Sequence, residues 1–269
     1  MAGRALTYDE HMQARRLPFQ RGWAWLHEGF YLWRRNPALL TFASFGYLLT
    51  LVLVSAIPVI GQPVASLLMP VLSLGVLNTC KAIEEGRKTG PDILFSGFKS
   101  NVPALMAVGG IYLAGSLLVL MLTMLVDDGT LMSVLNGKID AEADLPAVSD
   151  LLPALLVAVS LSTPVLMAYW FAPILVGWWG VSGPKAMFFS FIACVRNWRP
   201  FLAFSIALMV IAGLLPSLLL GLLGALSPML SSLLMLVVPL VLIPVLFASF
   251  YINARDVFQT NMVNETIAD

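Results

Sequence analysis

The chain has 269 residues, of which 59% are hydrophobic and only 11% charged, and its fifteen basic and fifteen acidic residues cancel. A soluble domain carries about 25% charged residues, so this composition excludes a globular fold that hides its apolar surface in water. The balanced charge offers no bulk field for nucleic acid, and two distant cysteines, Cys80 and Cys194, make neither a metal motif nor a disulfide framework.

From the N-terminus, residues 1–18 (MAGRALTYDEHMQARRLP) carry charges throughout and no apolar core. They read as a polar tail and not as a cleavable signal peptide. Then Phe19, Trp23, Leu26, Phe30 and Trp33 are spaced by four, three, four and three. That spacing puts five large apolar side chains on one helix face, with Arg21, His27, Glu28, Arg34 and Arg35 around it. Such a helix suits the membrane interface or packs on the protein's own bundle, and the two readings are compatible.

Six uncharged apolar runs follow, at residues 37–57, 59–79, 102–126, 151–177, 200–223 and 228–252. Crossing a hydrocarbon core of roughly 30 Å takes about 20 helical residues, so each run is long enough. The ten-residue alternating segments of a membrane β-barrel are absent. Only Pro58 separates the first two runs and only residues 224–227 the last two. Tight helical hairpins are expected there, with re-entrant half-helices as the alternative.

Three of the runs open in the same way. Asn36-Pro37-Ala38-Leu39, Asn101-Val102-Pro103-Ala104-Leu105 and Asn197-Trp198-Arg199-Pro200-Phe201-Leu202 each follow an aromatic-rich segment and set an amide before a proline. Proline is tolerated in the first helical turn because its missing N–H would lack a partner anyway, and asparagine caps free N–H groups. The second run of each hairpin carries an internal proline, Pro70, Pro173 or Pro244, each expected to kink its helix. Pro164, Pro216 and Pro239 also lie within runs. The chain thus reads as one membrane domain (19–257) of three pseudo-repeated units, 19–84, 91–180 and 184–257. An outer loop, 127–150, is inserted in the middle unit and a tail, 258–269, follows.

Charge sets the expected orientation. Fourteen of the fifteen basic residues fall on the side of both termini; Lys138 alone lies in the 127–150 loop, beside six acidic residues. By the positive-inside rule both termini are cytoplasmic and the loop is periplasmic, which puts both cysteines near a reducing compartment. In that loop Asp140, Glu142 and Asp144 alternate, but the glycine and distal glutamate of a calcium loop are missing. A solvated acidic loop with a short helix at 130–135 suffices.

The six runs contain no Asp, Glu, Lys, Arg or His, and the only histidines, His11 and His27, precede the first run. Intramembrane enzymes and proton-coupled carriers need ionisable groups at depth, so no catalytic residue, no metal site and no cofactor is expected. Hydroxyls within the runs, such as Ser116, Thr123, Ser160 and Ser162, read as helix-packing groups before they read as a solute path. Tyr169-Trp170-Phe171 lies deeper than an interfacial belt and fits a packed core better than a lipid-filled groove.

The Arg34–Pro37 motif, the Trp198-Arg199-Pro200 motif and the closing Asn253-Ala-Arg-Asp-Val-Phe258 give the chain a further feature. Over nearly its whole length it resembles a family of six-helix proteobacterial inner-membrane proteins with no assigned activity. The resemblance implies an inner-membrane location and six helices, and carries over no functional residue. The function expected is a non-enzymatic, lipid-interacting or scaffolding role, with Arg21, Arg34, Arg35, Lys99, Arg196 and Arg199 at lipid headgroups. The alternative is a transporter or channel for an apolar or lipidic solute along the helices of Pro70, Pro173 and Pro244. Membrane lipids are the expected partners; a homo-oligomer or a membrane-protein partner is left open, and nucleic acid is excluded.

Overall fold

The computed structural model describes residues 14–135 and 148–258. Lys138, the acidic trio of the outer loop and most of both tails therefore lie outside the described residues. Among the described residues all regular structure is helical. In chain order the elements are α1 (Arg21–Arg35), α2 (Pro37–Ser55), α3 (Gly61–Glu84), a 3-10 helix (Pro91–Lys99), α4 (Val102–Asp127) and α5 (Thr130–Leu135). They continue with α6 (Val148–Trp170), α7 (Ala172–Trp179), α8 (Gly183–Arg196), α9 (Trp198–Leu208), a π-helical segment (Met209–Leu214), α10 (Leu215–Leu226) and α11 (Pro228–Phe258). Six spans are long and apolar enough to cross a membrane: α2, α3, α4, α6 with α7, α9 with α10, and α11. The short helix expected at 130–135 is present as α5.

Charges mark where lipid ends, not where a helix ends. The α3 and α11 helices run past the last residues of their uncharged runs, 79 and 252, to Glu84 and Phe258, and carry Lys81, Glu84, Arg255 and Asp256 on their final turns. The backbone bonds of a helix continue as long as the residues are compatible with it, and the added turns project beyond the apolar band.

The core lies at this basic end of the bundle. The α3 helix is its axis, buried almost without interruption from Pro70 to Ile83 and flanked by α2, α4, α7 and the 3-10 helix. Phe171, which does not face lipid, is fully buried and packs on Phe201, Phe250 and Phe258. The distal halves of the spans expose Leu117, Met121, Leu218, Leu222 and Leu236. In hydrocarbon such exposure has no hydrophobic cost, because lipid tails are as apolar as leucine.

The burial of α1 corrects the simple stripe reading. Phe19, Trp23 and Phe30 are 49%, 55% and 38% exposed, while the buried face is Gly22, Trp25, Leu26, Gly29 and Leu32. A side chain at Gly22 would meet the Pro200 carbonyl oxygen at 2.1 Å, and one at Gly29 the Ser249 nitrogen at 2.7 Å. Small residues let α1 approach the backbones of α9 and α11, as in membrane helix pairs, with Trp25 buried between them and Trp23 and Phe30 left facing outward.

The three openings differ in detail. The Asn36 and Asn101 side chains accept from the Leu39 and Ala104 N–H groups, each at 3.2 Å, and cap α2 and α4. The Asn197 side chain makes no N-terminal cap on α9 and instead donates to the Ala193 carbonyl in the last turn of α8 at 3.0 Å. It accepts from the Leu17 N–H at 2.9 Å and donates to the Arg15 carbonyl at 2.8 Å. With the Arg15 N–H donating to the Val257 carbonyl at 2.9 Å, it straps the N-terminal segment onto the end of α11. The segments preceding the three spans are likewise an α-helix, a 3-10 helix and an α-helix.

The prolines also differ. Helices α3 and α11 continue through Pro70 and Pro244. At Phe171 the fourth span breaks, and Pro173 sits in the first turn of α7. The break frees backbone groups that Ser190 satisfies: its Oγ accepts from the Phe171 N–H at 2.8 Å and donates to the Met167 carbonyl at 2.7 Å. A hydroxyl from a neighbouring helix is a common remedy for a broken membrane helix.

Candidate functional site

Two features lie side by side at the basic end: a cluster of ion pairs and an apolar groove. The cluster joins α1, α3 and α11. Arg21 Nε donates to Asp256 Oδ2 at 2.7 Å, its Nη2 donates to the same oxygen, and its Nη1 donates to Glu28 Oε1 at 2.8 Å. Trp25 Nε1 donates to Asp256 Oδ2 at 2.9 Å. Arg255 donates to Glu28 Oε2 at 3.2 Å and to Glu84 Oε1, and the Tyr251 hydroxyl donates to Glu84 Oε2 at 2.5 Å. Two guanidiniums thus share three carboxylates.

Partial burial works against the charge of Arg21, but its hydrogen bonds to Glu28 and Asp256, together with their charges, outweigh it and raise its pKa above the usual guanidinium value. A buried charge is tolerated when it is paired and hydrogen-bonded, and removing one member of such a network leaves the others exposed to the full desolvation cost. Every carboxylate here is engaged by an arginine. The arrangement therefore holds α1 in place, and it supplies no free base or nucleophile. No group of three metal-ligating side chains comes together among the described residues.

Sequence reasoning missed this cluster. It grouped Arg21 with the surface cations, whereas the structure turns Arg21 inward and separates it from the other five. Arg34, Arg35, Lys99, Arg196 and Arg199 are all exposed. Arg34 lies over the Phe30 ring at 5.9 Å and Arg199 over Trp198 at 5.6 Å, so aromatic faces steady two of them. The available signal was the adjacent, opposite charges Arg255 and Asp256 directly after the last apolar run, 228–252.

The groove lies between the fifth and sixth spans. Ile211, Leu215 and Leu219 form one wall, Val237, Val241 and Val245 the other, and Trp23, Leu26, His27 and Phe30 of α1 close its basic end. Its volume is about 470 Å³, within the range of roughly 300–1,000 Å³ of ligand sites. His27 is the one ionisable residue of its lining. The π-helical segment forms part of the wall, and such segments recur at functional sites. Of the three prolines expected to define a path, Pro70 and Pro173 are enclosed in the core, and Pro244 adjoins the groove through Val245.

Elsewhere Asn78 links α3 to its neighbours. Its Nδ2 donates to Ser96 Oγ at 2.8 Å, and its Oδ1 accepts from Trp178 Nε1 at 2.9 Å. These bonds give both ends of a polar side chain a partner within the bundle.

No family model and no solved structure matches the chain. A probable inner membrane protein of Burkholderia thailandensis is 35% identical over 259 residues, which cover 92% of this chain and 94% of that protein. With six membrane-length helices and a relative aligned almost end to end, the chain belongs to that family of multi-pass bacterial inner-membrane proteins.

Proposed function

We propose that the protein is a non-enzymatic, lipid-interacting protein of the inner membrane, whose basic end faces the cytoplasm and gathers anionic headgroups on Arg34, Arg35, Lys99, Arg196 and Arg199. The observation that carries this reading is the exposure of all five cations at the openings of three spans, while Arg21 and Arg255, the two arginines of the interior cluster, are taken up by acidic partners. Among the described residues the exposed acidic side chains at this end are Glu85, paired with Arg87 at 2.5 Å, and Asp92. Each basic residue near an anionic surface contributes about 1 kcal/mol of attraction. A scaffolding role fits the same surface, with bound lipid filling the seam to a membrane-protein partner or a second copy. Transport along the proline-bearing helices has less support, because Pro70 and Pro173 sit inside packed core.

The test is retention of phosphatidylglycerol by the purified protein in native mass spectrometry. Substitution of Arg34, Arg35, Arg196 and Arg199 by Gln lowers the number of anionic lipids retained and leaves phosphatidylcholine unaffected. Equal retention of phosphatidylglycerol by the substituted protein rejects the reading.

A further inference from the structure

We infer that the groove between the fifth and sixth spans is a binding site for one acyl chain of an anionic phospholipid, with the headgroup at its α1 end beside His27 and Arg34. The inference rests on the lipid-interacting reading and adds a defined place to it.

The lining is apolar from Ile211 to Leu219 on one side and from Val237 to Val245 on the other. A groove of this kind at membrane depth holds no water, since nothing in it offers a water the two to four polar partners it needs. From Val237 to Val245 the wall is eight residues of α-helical rise, about 12 Å of apolar slot open to the surrounding hydrocarbon. A hydrocarbon chain lies along such a slot, and the chemistry at the α1 end identifies which lipid supplies it.

The α1 end selects the headgroup. Trp23, His27, Phe30 and Arg34 follow one another at spacings of four, three and four, so they form one stripe on the outward side of α1. Trp23, His27 and Phe30 line the groove, and Arg34 lies over the Phe30 ring. Aromatic rings at this level mark the headgroup boundary. Glu28, the acidic residue nearest to the stripe in sequence, is turned into the ion-pair cluster. The mouth therefore presents cationic and aromatic groups, complementary to a phosphate.

Affinity has to come from this end. Moving a chain from bilayer into an apolar groove brings no hydrophobic gain, and one cation at the surface is worth about fivefold in anionic-lipid affinity.

The experiment uses the full chain in phosphatidylethanolamine vesicles containing a trace of phosphatidylglycerol with a photoactivatable group on its acyl chain. After irradiation the labelled peptides are sequenced. Label is expected to concentrate on Ile211–Leu219 and Val237–Val245, above that on the lipid-exposed faces of α4 and α6. Val241→Trp and, separately, Leu219→Trp fill the groove and reduce its label to the level of those faces, with unchanged thermal unfolding verifying the fold of each. Arg34→Gln lowers groove labelling by phosphatidylglycerol about fivefold and does not alter labelling by phosphatidylcholine.

Label spread evenly over all exposed spans overturns the inference, as does label that persists in both Trp variants. Crosslinking of the groove to a second copy of the chain overturns it equally. The two readings separate cleanly. Loss of phosphatidylglycerol retention in the headgroup variants without groove labelling leaves the surface reading standing alone. Groove labelling that is indifferent to headgroup charge overturns the anionic assignment.

Discussion

Asp256→Ala tests most directly whether α1 is part of the bundle or rests loosely on the membrane. The Asp256 carboxylate is nearly buried, at 7% exposure, and accepts from Arg21 and from the fully buried Trp25 indole. Its removal leaves the Trp25 N–H unpaired, which costs about 1–3 kcal/mol. Breaking a buried ion pair from one side costs about 3–5 kcal/mol. Arg21 keeps Glu28 and has a side chain 30% exposed, so water recovers part of that larger figure. The expected loss is about 3 kcal/mol, roughly a hundredfold in the unfolding equilibrium. The assay is reversible unfolding in mixed micelles, titrated with denaturing detergent and followed by helical circular dichroism. Trp25→Phe completes a double-mutant cycle, because it deletes the N–H and keeps an aromatic ring against Phe201 and Phe204. In the Asp256→Ala background Trp25→Phe should cost about 1 kcal/mol less than it costs alone. A loss below about 0.5 kcal/mol for Asp256→Ala, within the range of ordinary surface changes, refutes the view of the cluster as a clamp, and so does strict additivity.

Four further outcomes are expected. A methyl group at Gly75 would stand 1.7 Å from the Leu94 carbonyl oxygen, so Gly75→Ala forces the 3-10 helix off α3 and costs about 1–3 kcal/mol as overpacking, read as a lower thermal midpoint in detergent. Asn197→Ala cuts the bonds to Leu17 and Arg15, and trypsin then cleaves after Arg15 and Arg16 faster than in the parent protein; an unchanged cleavage rate counts against the strap. The Cys194 thiol is buried and its pKa is pushed up to about 12 by that burial, so it stays protonated through pH 9 and a maleimide labels it only after unfolding; labelling of the folded protein at pH 8 contradicts its placement. A periplasm-active reporter inserted beside Lys138 should be active and one fused after Asp269 inactive, and the reverse pattern inverts the orientation.

The spans were legible because they are uncharged and each has enough residues to cross a bilayer. The caps at Asn36 and Asn101 were legible because capping depends on a few neighbouring residues. Three things were not. The buried face of α1 is set by Gly22 and Gly29, whose contribution is the absence of a side chain, while composition draws the eye to Trp23 and Phe30. The role of Asn197 depends on Leu17, 180 positions away. The ion-pair cluster brings residues 21, 28, 84, 255 and 256 to one place, and nothing local in the chain pairs a particular arginine with a particular carboxylate. The groove is enclosed jointly by the fifth and sixth spans and α1, a matter of packing with no pattern of its own in a leucine-rich run.

The bond between Arg21 and Asp256 joins positions 235 residues apart. At a synthesis rate of about 5–20 residues per second, the first partner leaves the ribosome roughly 10–50 s before the second exists. For most of that interval α1 lacks the Pro200 and Ser249 backbones that receive its glycines, and until its end it lacks the Asp256 carboxylate. Its outward aromatic face can hold it on the membrane surface meanwhile, as an amphipathic helix is held. The last span then acts as the closing piece of assembly: once it is inserted, α1 can leave its temporary lodging in the headgroups and lock. A chain stopped before residue 255 would insert all six apolar runs and keep the glycine contacts of its first helix, yet lack the Arg255 and Asp256 charges that lock it.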